Sequence, residues 1–411
     1  MALIVQKFGG TSVGSIERIK SVTNIVLKEL QLGNTVVVVV SAMAKVTDSL
    51  VTQARELSSL QTSEAMEEYD TILSSGEQVT SGLLALALQA RGVRARSWLG
   101  WQIPIVTTNN FGNSKIVSIN NEILMKELQD NVVPVIAGFQ GAHGERITTL
   151  GRGGSDTTAT ALAIALNADR CDIYTDVPGV YTADPRIVPE AHKLNKIAFE
   201  EMLEMASSGA KVLHHRCVEM AMKHNLKIQV LSSFEDTPGT MIVNEEEIME
   251  QYEITGISSV DNTVSITVYA LPAIPNVTAN LFKPFQEANI NIDLVVQNMP
   301  RNELVDITFT IAKFDLPKSL ELLKSQSINQ NSMTIDEDVV KVSIIGIGMR
   351  SHAGVAQKMF EILAVEGINI LLISTSEINV SVLVRAKYKD AAVQALHTGF
   401  VLADGRLSTN N

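Results

Sequence analysis

The chain has only two cysteines in 411 residues, Cys171 and Cys217. Two isolated thiols exclude a disulfide framework and the spacing of a zinc site, and they suit a reducing compartment. Positive charge is also short: 33 lysines and arginines stand against 45 aspartates and glutamates, a formal net charge of -12. Nucleic acid and anionic membrane are therefore not the expected partners, and an anionic small ligand would need a local cluster of cations. No apolar run approaches the roughly 20 residues that cross a bilayer, and the first residues lack the basic stretch and cleavage site of a secretory leader. These absences point to a soluble, cytoplasmic chain. One further absence is more specific. No Gly-Lys dipeptide occurs, so the common nucleotide loop G-x-x-x-x-G-K-[ST] is missing.

What is present is an ordinary globular composition, 45% hydrophobic and 19% charged, in a chain long enough for two or three domains. Up to about residue 232, β-rich apolar runs alternate with helical patterns. Strands are expected at Leu3–Phe8, Thr35–Ser41, Val93–Leu99, Val132–Ala137, Cys171–Thr175 and Ile228–Leu231. Between the first two, Ile16, Ile19, Val22, Val26 and Leu30 mark one helical face, closed by Gly33-Asn34. The unbroken valines 36–40 suit a strand buried on both faces of a parallel sheet. The expected fold is a three-layer α/β/α sandwich with a mainly parallel sheet, whose ligands sit at the carboxyl ends of the strands.

Beyond residue 232 the pattern changes. An acidic stretch leads into two β-rich units related by a constant offset of 78 residues: Ile266 with Ile344, Phe282 with Phe360, Ile290-Asn291-Ile292 with Ile368-Asn369-Ile370. A constant offset over several elements is a duplication, and each copy reads as a βαββαβ module. The expected division is a catalytic domain at 1–232, a linker at 233–260, and modules at 261–337 and 338–411.

Four stretches of the first domain carry chemistry. In Lys7-Phe8-Gly9-Gly10-Thr11-Ser12, paired glycines between a strand and a helix let a phosphate approach free backbone amides; the plain alternative is a strand end and a tight turn. In "LSSGEQ", Glu77 is expected in the first turn of a long helix, where the helix dipole alone favours an acid; it also suits an α-amino group. In "GRGGSDTTA", Ser155 and Asp156 suit helix capping, but Arg152 among glycines presents a planar fork fit for a carboxylate or phosphate. In "YTDVPGVYTADPR" and "SGAKVLHH", Thr175, Asp176, Tyr181, Asp184 and Arg186 form a polar loop, and Lys211 falls in an expected first helical turn, where a cation opposes the dipole. The adjacent His214 and His215 do not share a helix face and make a poor metal site; no metal ligands are assigned.

Together, "KFGGTS", "VSAM", "SSGEQ", "GRGGSDTTA", "YTDVPGVYTADPR" and "SGAKVLHHR", in this order across the chain, resemble the aspartate kinase family of the amino-acid kinase superfamily, which carries two C-terminal ACT modules. The resemblance implies transfer of the γ-phosphoryl group of MgATP to the β-carboxylate of L-aspartate, the first step of lysine, threonine and methionine biosynthesis. It implies that Lys7 neutralises the transferring phosphoryl, helped by the Gly9 and Gly10 amides and with Ser12 nearby, and that Asp156 orients Lys7. Glu77 would hold the amino group of aspartate, with Arg152 and Thr47 on its carboxylates and Gly153, Gly154 and Ser155 around them. Ser41, Thr175, Asp176, Tyr181, Arg186 and Lys211 would line the ATP side.

For the modules, the resemblance implies regulation by lysine, threonine or both at Asn276, Ala279, Asp293 and Gln297 in the first and Gly354, Val355, Ser376 and Glu377 in the second. The family's Asp-x-Pro-Gly turn is altered here: Ala273 stands in place of the acid and Asn276 in place of the glycine, and Ala353 stands where proline is common. The family pairs through these modules, as a homodimer or as a heterotetramer with a short subunit from an internal start. Two other readings keep the fold: a kinase for acetylglutamate, glutamate or a nucleotide, of which an N-acetylated acceptor needs no acid like Glu77, and an inactive amino-acid sensor, which would not need Lys7, Arg152, Asp156 and Lys211.

Overall fold

A computed structural model describes residues 1–210, 212–248, 253–328, 330–352 and 354–400. They fall into two compact units, one of residues 1–181, 193–206 and 212–248, the other of residues 182–192, 207–210 and 253–400.

The first unit is built on an eight-stranded sheet. Its order is Lys196–Ala198, Thr240–Val243, Ile228–Ser232, Arg170–Thr175, Leu3–Phe8, Thr35–Val40, Val133–Ala137, Ala95–Trp98. All neighbours run parallel except Ile228–Ser232 with Thr240–Val243. The valines of Thr35–Val40 are buried on both faces. Val36, Val38 and Val40 share a core with Val22 and Val26 of helix Ile16–Gln31 and with Leu84 and Leu88 of helix Ser63–Gln89. The alternate residues point the other way, the side on which helix Gly154–Ala165 packs along the same strands. The three-layer α/β/α sandwich is therefore present. A smaller sheet of Ile116–Ile119, Ile105–Thr107, Gln140–His143 and Arg146–Thr149 belongs to the same unit. Among the described residues no helix is long and apolar enough to cross a membrane.

The second unit is one six-stranded sheet, ordered Ile292–Gln297, Leu304–Ala312, Gly256–Pro272, Met333–Ile345, Asn379–Arg385, Leu372–Thr375 and antiparallel throughout. The repeat is visible in its helices: Val277–Glu287 is matched 78 residues later by Val355–Val365, with the same length. The two central strands serve both copies. Residues 263–268 pair with Leu304–Ala312 on one side, while residues 256–260 pair with 341–345. Residues 240–243 and 256–260, read from sequence as linker, are thus strands, because each closes an edge that would otherwise leave backbone groups unpaired. Residues 182–192, read as part of the catalytic domain, pack within the second unit. The Thr182 carbonyl accepts from the Ile257 amide at 2.8 Å, its hydroxyl lies 2.9 Å from His397 Nε2, and Gln394 donates to the Ile187 carbonyl at 2.8 Å.

Candidate active site

Strand Leu3–Phe8 delivers Lys7 to its carboxyl end, and the Gly9-Gly10 turn follows. The turn is stitched to its neighbours: the Gly9 amide donates to the Tyr174 carbonyl at 3.1 Å, and the Ala44 amide to the Gly10 carbonyl at 3.1 Å. A Cβ on Gly10 would stand 3.0 Å from the Ala42 carbonyl oxygen, so the close approach requires glycine. Lys7 is 8% exposed, and its Nζ lies 2.5 Å from Oδ1 of Asp156.

Asp156 sits in the first turn of helix Gly154–Ala165. Ser155 is not its cap, as the sequence suggested. The chain enters through Gly153, in the left-handed region at φ 69°, and no side chain caps the helix. A Cβ on Gly153 would meet the His214 ring at 2.3 Å. The polar side chains of this turn are accordingly not spent on capping.

Glu77 is a second correction. It lies in the middle of the 27-residue helix Ser63–Gln89, whose N-cap is Thr62, accepting from the Ala65 amide. Ser74-Ser75-Gly76 mimics a helix start in sequence. In the fold the two hydroxyls donate back to the Thr71 and Ile72 carbonyls at 2.9 and 2.7 Å. Gly76 lets the helix approach the 41–44 loop, because a Cβ there would come within 2.7 Å of Ala42 Cβ. The helix dipole therefore does not account for Glu77. Its side chain is buried with Oε2 unpartnered. Burial pushes its pKa up to about 7, opposed by the Ala42 amide that hydrogen-bonds to it.

Lys7, Glu77, Arg152 and Asp156 share one cavity of about 320 Å³ with Ser41 and Thr47. Its walls also include Gly10, Gly153, Gly154 and Ser155. The lining residues that sequence reasoning passed over include Met43, Lys45, Asp48 and Phe139. Lys45 and Phe139 are non-glycine residues in the left-handed region, at φ 68° and 69°, where strain marks functional turns. The Phe139 amide donates to Thr158 Oγ1 at 3.1 Å. Composition gave no signal for either conformation.

Of the described residues assigned to ATP, Gly9, Ser12, Thr175, Asp176, Tyr181 and Arg186 do not line this cavity. Ser12 falls within Gly10-Thr11-Ser12-Val13-Gly14, the G-x-S-x-G pattern of a nucleophile elbow, yet it is fully buried and accepts from Ser233 Oγ at 2.8 Å. Ser233 also accepts from Arg18 at 3.0 Å, and its amide donates to the Thr175 carbonyl. Ser12 is thus a structural hydroxyl beneath the turn. Gly9, Thr175 and Asp176 stand at adjacent strand ends, with the Thr175 hydroxyl on Asp176 at 3.1 Å. Tyr181 is half-buried, which raises its pKa, and the Glu235 charge adds to the effect. Arg186 falls in the second unit and pairs with Asp184 at 2.7 Å. Lys211 lies outside the described residues, as does Ala353.

Of the expected effector residues, Asn276 and Gly354 directly precede the helices Val277–Glu287 and Val355–Val365; Gly354 is left-handed at φ 98° and Asn276 is not. Ala279 is exposed and Val355 buried. Asp293 pairs with Lys341 at 2.5 Å, Gln297 accepts from the Thr278 hydroxyl at 2.9 Å, and Glu377 stands 3.5 Å from Arg350. The Ser376 amide donates to the Asn379 carbonyl at 2.7 Å.

Comparison with known proteins bears on these units directly. The model of the amino acid kinase family matches residues 2–232, and an ACT domain model matches residues 342–400. An aspartokinase of Pseudomonas aeruginosa is 50% identical over 407 residues, 98% of each chain. One from Geobacillus stearothermophilus is 46% identical over the same span and coverage. The crystal structure of Escherichia coli aspartokinase III in complex with aspartate and ADP matches with a TM-score of 0.82 at 28% identity, covering 97% of this chain and 99% of that one.

Proposed function

The chain belongs to the amino acid kinase family, among the aspartokinases, and is a phosphotransferase; on that premise we propose that it transfers the γ-phosphoryl group of MgATP to the β-carboxylate of L-aspartate, giving 4-phospho-L-aspartate and ADP. The observation that carries this reading is Glu77. A buried carboxylate with a free oxygen, in the same cavity as Lys7 and Arg152, calls for a cationic partner on the acceptor. An α-ammonium group supplies it, and an N-acetylated amino acid does not.

The acceptor carboxylate is ionised at neutral pH, so the reaction needs no general base. The difficulty is bringing two anions together, which positioning and positive charge overcome. Asp156 holds the Lys7 ammonium at 2.5 Å, so that its charge faces the phosphoryl in transit. The bare backbone of Gly9-Gly10 lets the phosphates approach. Arg152 grips the α-carboxylate and Thr47 offers a hydroxyl, while Glu77 takes the ammonium, whose charge draws Glu77 to its ionised form. Gly153, Gly154 and Ser155 shape that wall. Mg²⁺ bound with the nucleotide would neutralise charge on its phosphate oxygens. Ser41, Thr175, Asp176 and Tyr181 are the groups assigned to the nucleotide side.

The first unit then carries the catalytic domain, and two modules of the second unit take lysine, threonine or both as feedback effectors. Assembly through those modules, with or without a short internal-start subunit, and a cytoplasmic location complete the proposal. Trapping the acyl phosphate with hydroxylamine tests its core. Hydroxamate is expected from aspartate with ATP and not from N-acetylglutamate; the reverse result would overturn the assignment.

A further inference from the structure

Two loops flank the entry to the Arg152 turn, and two side chains of opposite charge, one buried and one half-buried, hold them together. Asp70 is fully buried and lies seven residues before Glu77 on the same helix, hence on the same face and roughly 10 Å along the axis. Its carboxylate accepts from the Gly112 amide at 2.9 and 3.0 Å, from the Thr149 amide at 2.7 Å and from the Thr149 hydroxyl at 2.6 Å. On the same two loops, Arg216 donates to the Leu150 carbonyl at 2.6 Å and to the Ser114 carbonyl at 3.0 Å. An anion gathers the N–H groups and a cation gathers the C=O groups. The Ser114 amide bonded to the Thr149 carbonyl at 2.9 Å lies between them. Immediately after this clamp come Gly151 at φ 74° and Gly153 at φ 69°, with Arg152 between them. A Cβ on Gly151 would meet Asn113 Oδ1 at 2.8 Å, so the 110–114 loop also supports the turn by contact.

We propose that Asp70 and Arg216 are positioning residues for the acceptor: their clamp fixes the 149–151 backbone and thereby the place from which Arg152 meets the aspartate carboxylate. Arg152 is exposed and flanked by left-handed glycines, so the turn itself does not restrain it. The clamp sits on the helix that carries Glu77, and one scaffold thus sets both groups that recognise aspartate.

The inference rests on the acceptor role given to Arg152 above, and the experiment separates the two. Asp70→Asn keeps the shape but turns one acceptor into a donor facing an N–H group. It is expected to raise KM for aspartate about tenfold, in line with the cost of one unsatisfied buried donor, with kcat and KM for ATP within about twofold. Thr149→Val, which removes only the hydroxyl donor, is expected to act in the same direction by about threefold, and covers the case in which Asp70→Asn does not fold. In an Arg152→Ala background, Asp70→Asn should add nothing to KM for aspartate. Equal effects on both substrates, or full additivity with Arg152→Ala, would overturn the clamp. Hydrogen exchange gives a readout independent of Arg152. Asp70→Asn should speed exchange of the 149–154 amides at least about tenfold relative to strand Thr35–Val40, and unchanged exchange would overturn the clamp. If exchange speeds up while Arg152→Ala leaves KM for aspartate unchanged, the clamp stands as a structural device; its positioning role and the acceptor assignment both fall.

Discussion

In the first unit, the cavity keeps Lys7, Glu77 and Asp156 nearly out of water and leaves one oxygen of Glu77 without a partner. In the second unit, three of the side chains that the resemblance assigns to an effector are already engaged. Asp293 is taken by Lys341, Gln297 by Thr278, and Glu377 faces Arg350. A buried charge lacking its full set of partners costs stability. Such a cost persists where a ligand completes the set, and the cavity is such a place. Among the described residues, Asp293, Gln297 and Glu377 each have a partner, so an amino acid binding at any of them must displace it. Its binding energy is the difference between two pairings, which suits a modest, tunable response rather than tight capture.

The strongest test of the first half of this contrast is Asp156→Asn. An amide has the same size but does not neutralise the Lys7 ammonium, and Lys7 loses its anchor. We expect kcat to fall at least about a hundredfold, the scale of losing one preorganised electrostatic contact, while the thermal midpoint moves little. A variant within a few-fold of the parent in steady-state turnover would show that the Lys7–Asp156 pair is structural.

Glu77→Gln comes next and gives two readouts of opposite sign. KM for aspartate should rise about 30-fold and KM for ATP should hardly change, since an amide lacks the charge for an ammonium. Stability should move the other way. The folded-state pKa of about 7 lies above the usual 4.5, so the native protein binds this proton more tightly than the unfolded chain does. The penalty is absent below pH 4.5, grows as pH rises to about 7, and is complete above that. Relieving it is worth on the order of 2–3 kcal/mol at pH 8. Denaturant melts at pH 8 and pH 5 should show the variant gaining at pH 8 and little at pH 5. Equal stability at both values would mean that Glu77 already has a partner. The parent's kcat/KM for aspartate should fall as pH drops below about 7, as the free enzyme takes up that proton.

The sequence made the sheet and the repeat plain because each has a periodic cause. Five consecutive valines leave little choice but a strand covered on both faces, and a duplication keeps its offset, which the two helices reproduce. The cavity residues Lys7, Glu77, Arg152 and Asp156 were legible as types. Their surroundings were not. Ser74-Ser75-Gly76 looks like a helix start because hydroxyls and glycine do mark starts; here the hydroxyls bond inward and the glycine serves a helix–loop contact. The left-handed turn at Phe139 is tied to a neighbour distant in sequence, Thr158, and no local pattern marks the one at Lys45. Residues 182–192 read as continuous with the first unit, since the contacts that place them with Ile257, Gln394 and His397 span up to about 215 positions.

The other half of the contrast is open to Lys341→Met, the smallest effect considered. Lys341 is 3% exposed, while Asp293 is far more accessible. The lysine is the desolvated member of the pair and the Asp293 left behind is open to water, so Lys341→Met strands no buried charge; the basal kcat should be unchanged and the melting temperature little affected. What changes is the partner of Asp293. With Ala273 in place of the usual acid, Asp293 is the carboxylate left in the first module for the ammonium of an effector. Once Lys341 no longer competes for it, half-inhibition by lysine should need about threefold less lysine, and threonine, which has no side-chain ammonium, should respond less. A shift of the same size for both amino acids would mean that the variant alters the module as a whole. No shift for either would remove Asp293 from the effector site and leave the Lys341–Asp293 pair as a structural tie across the sheet.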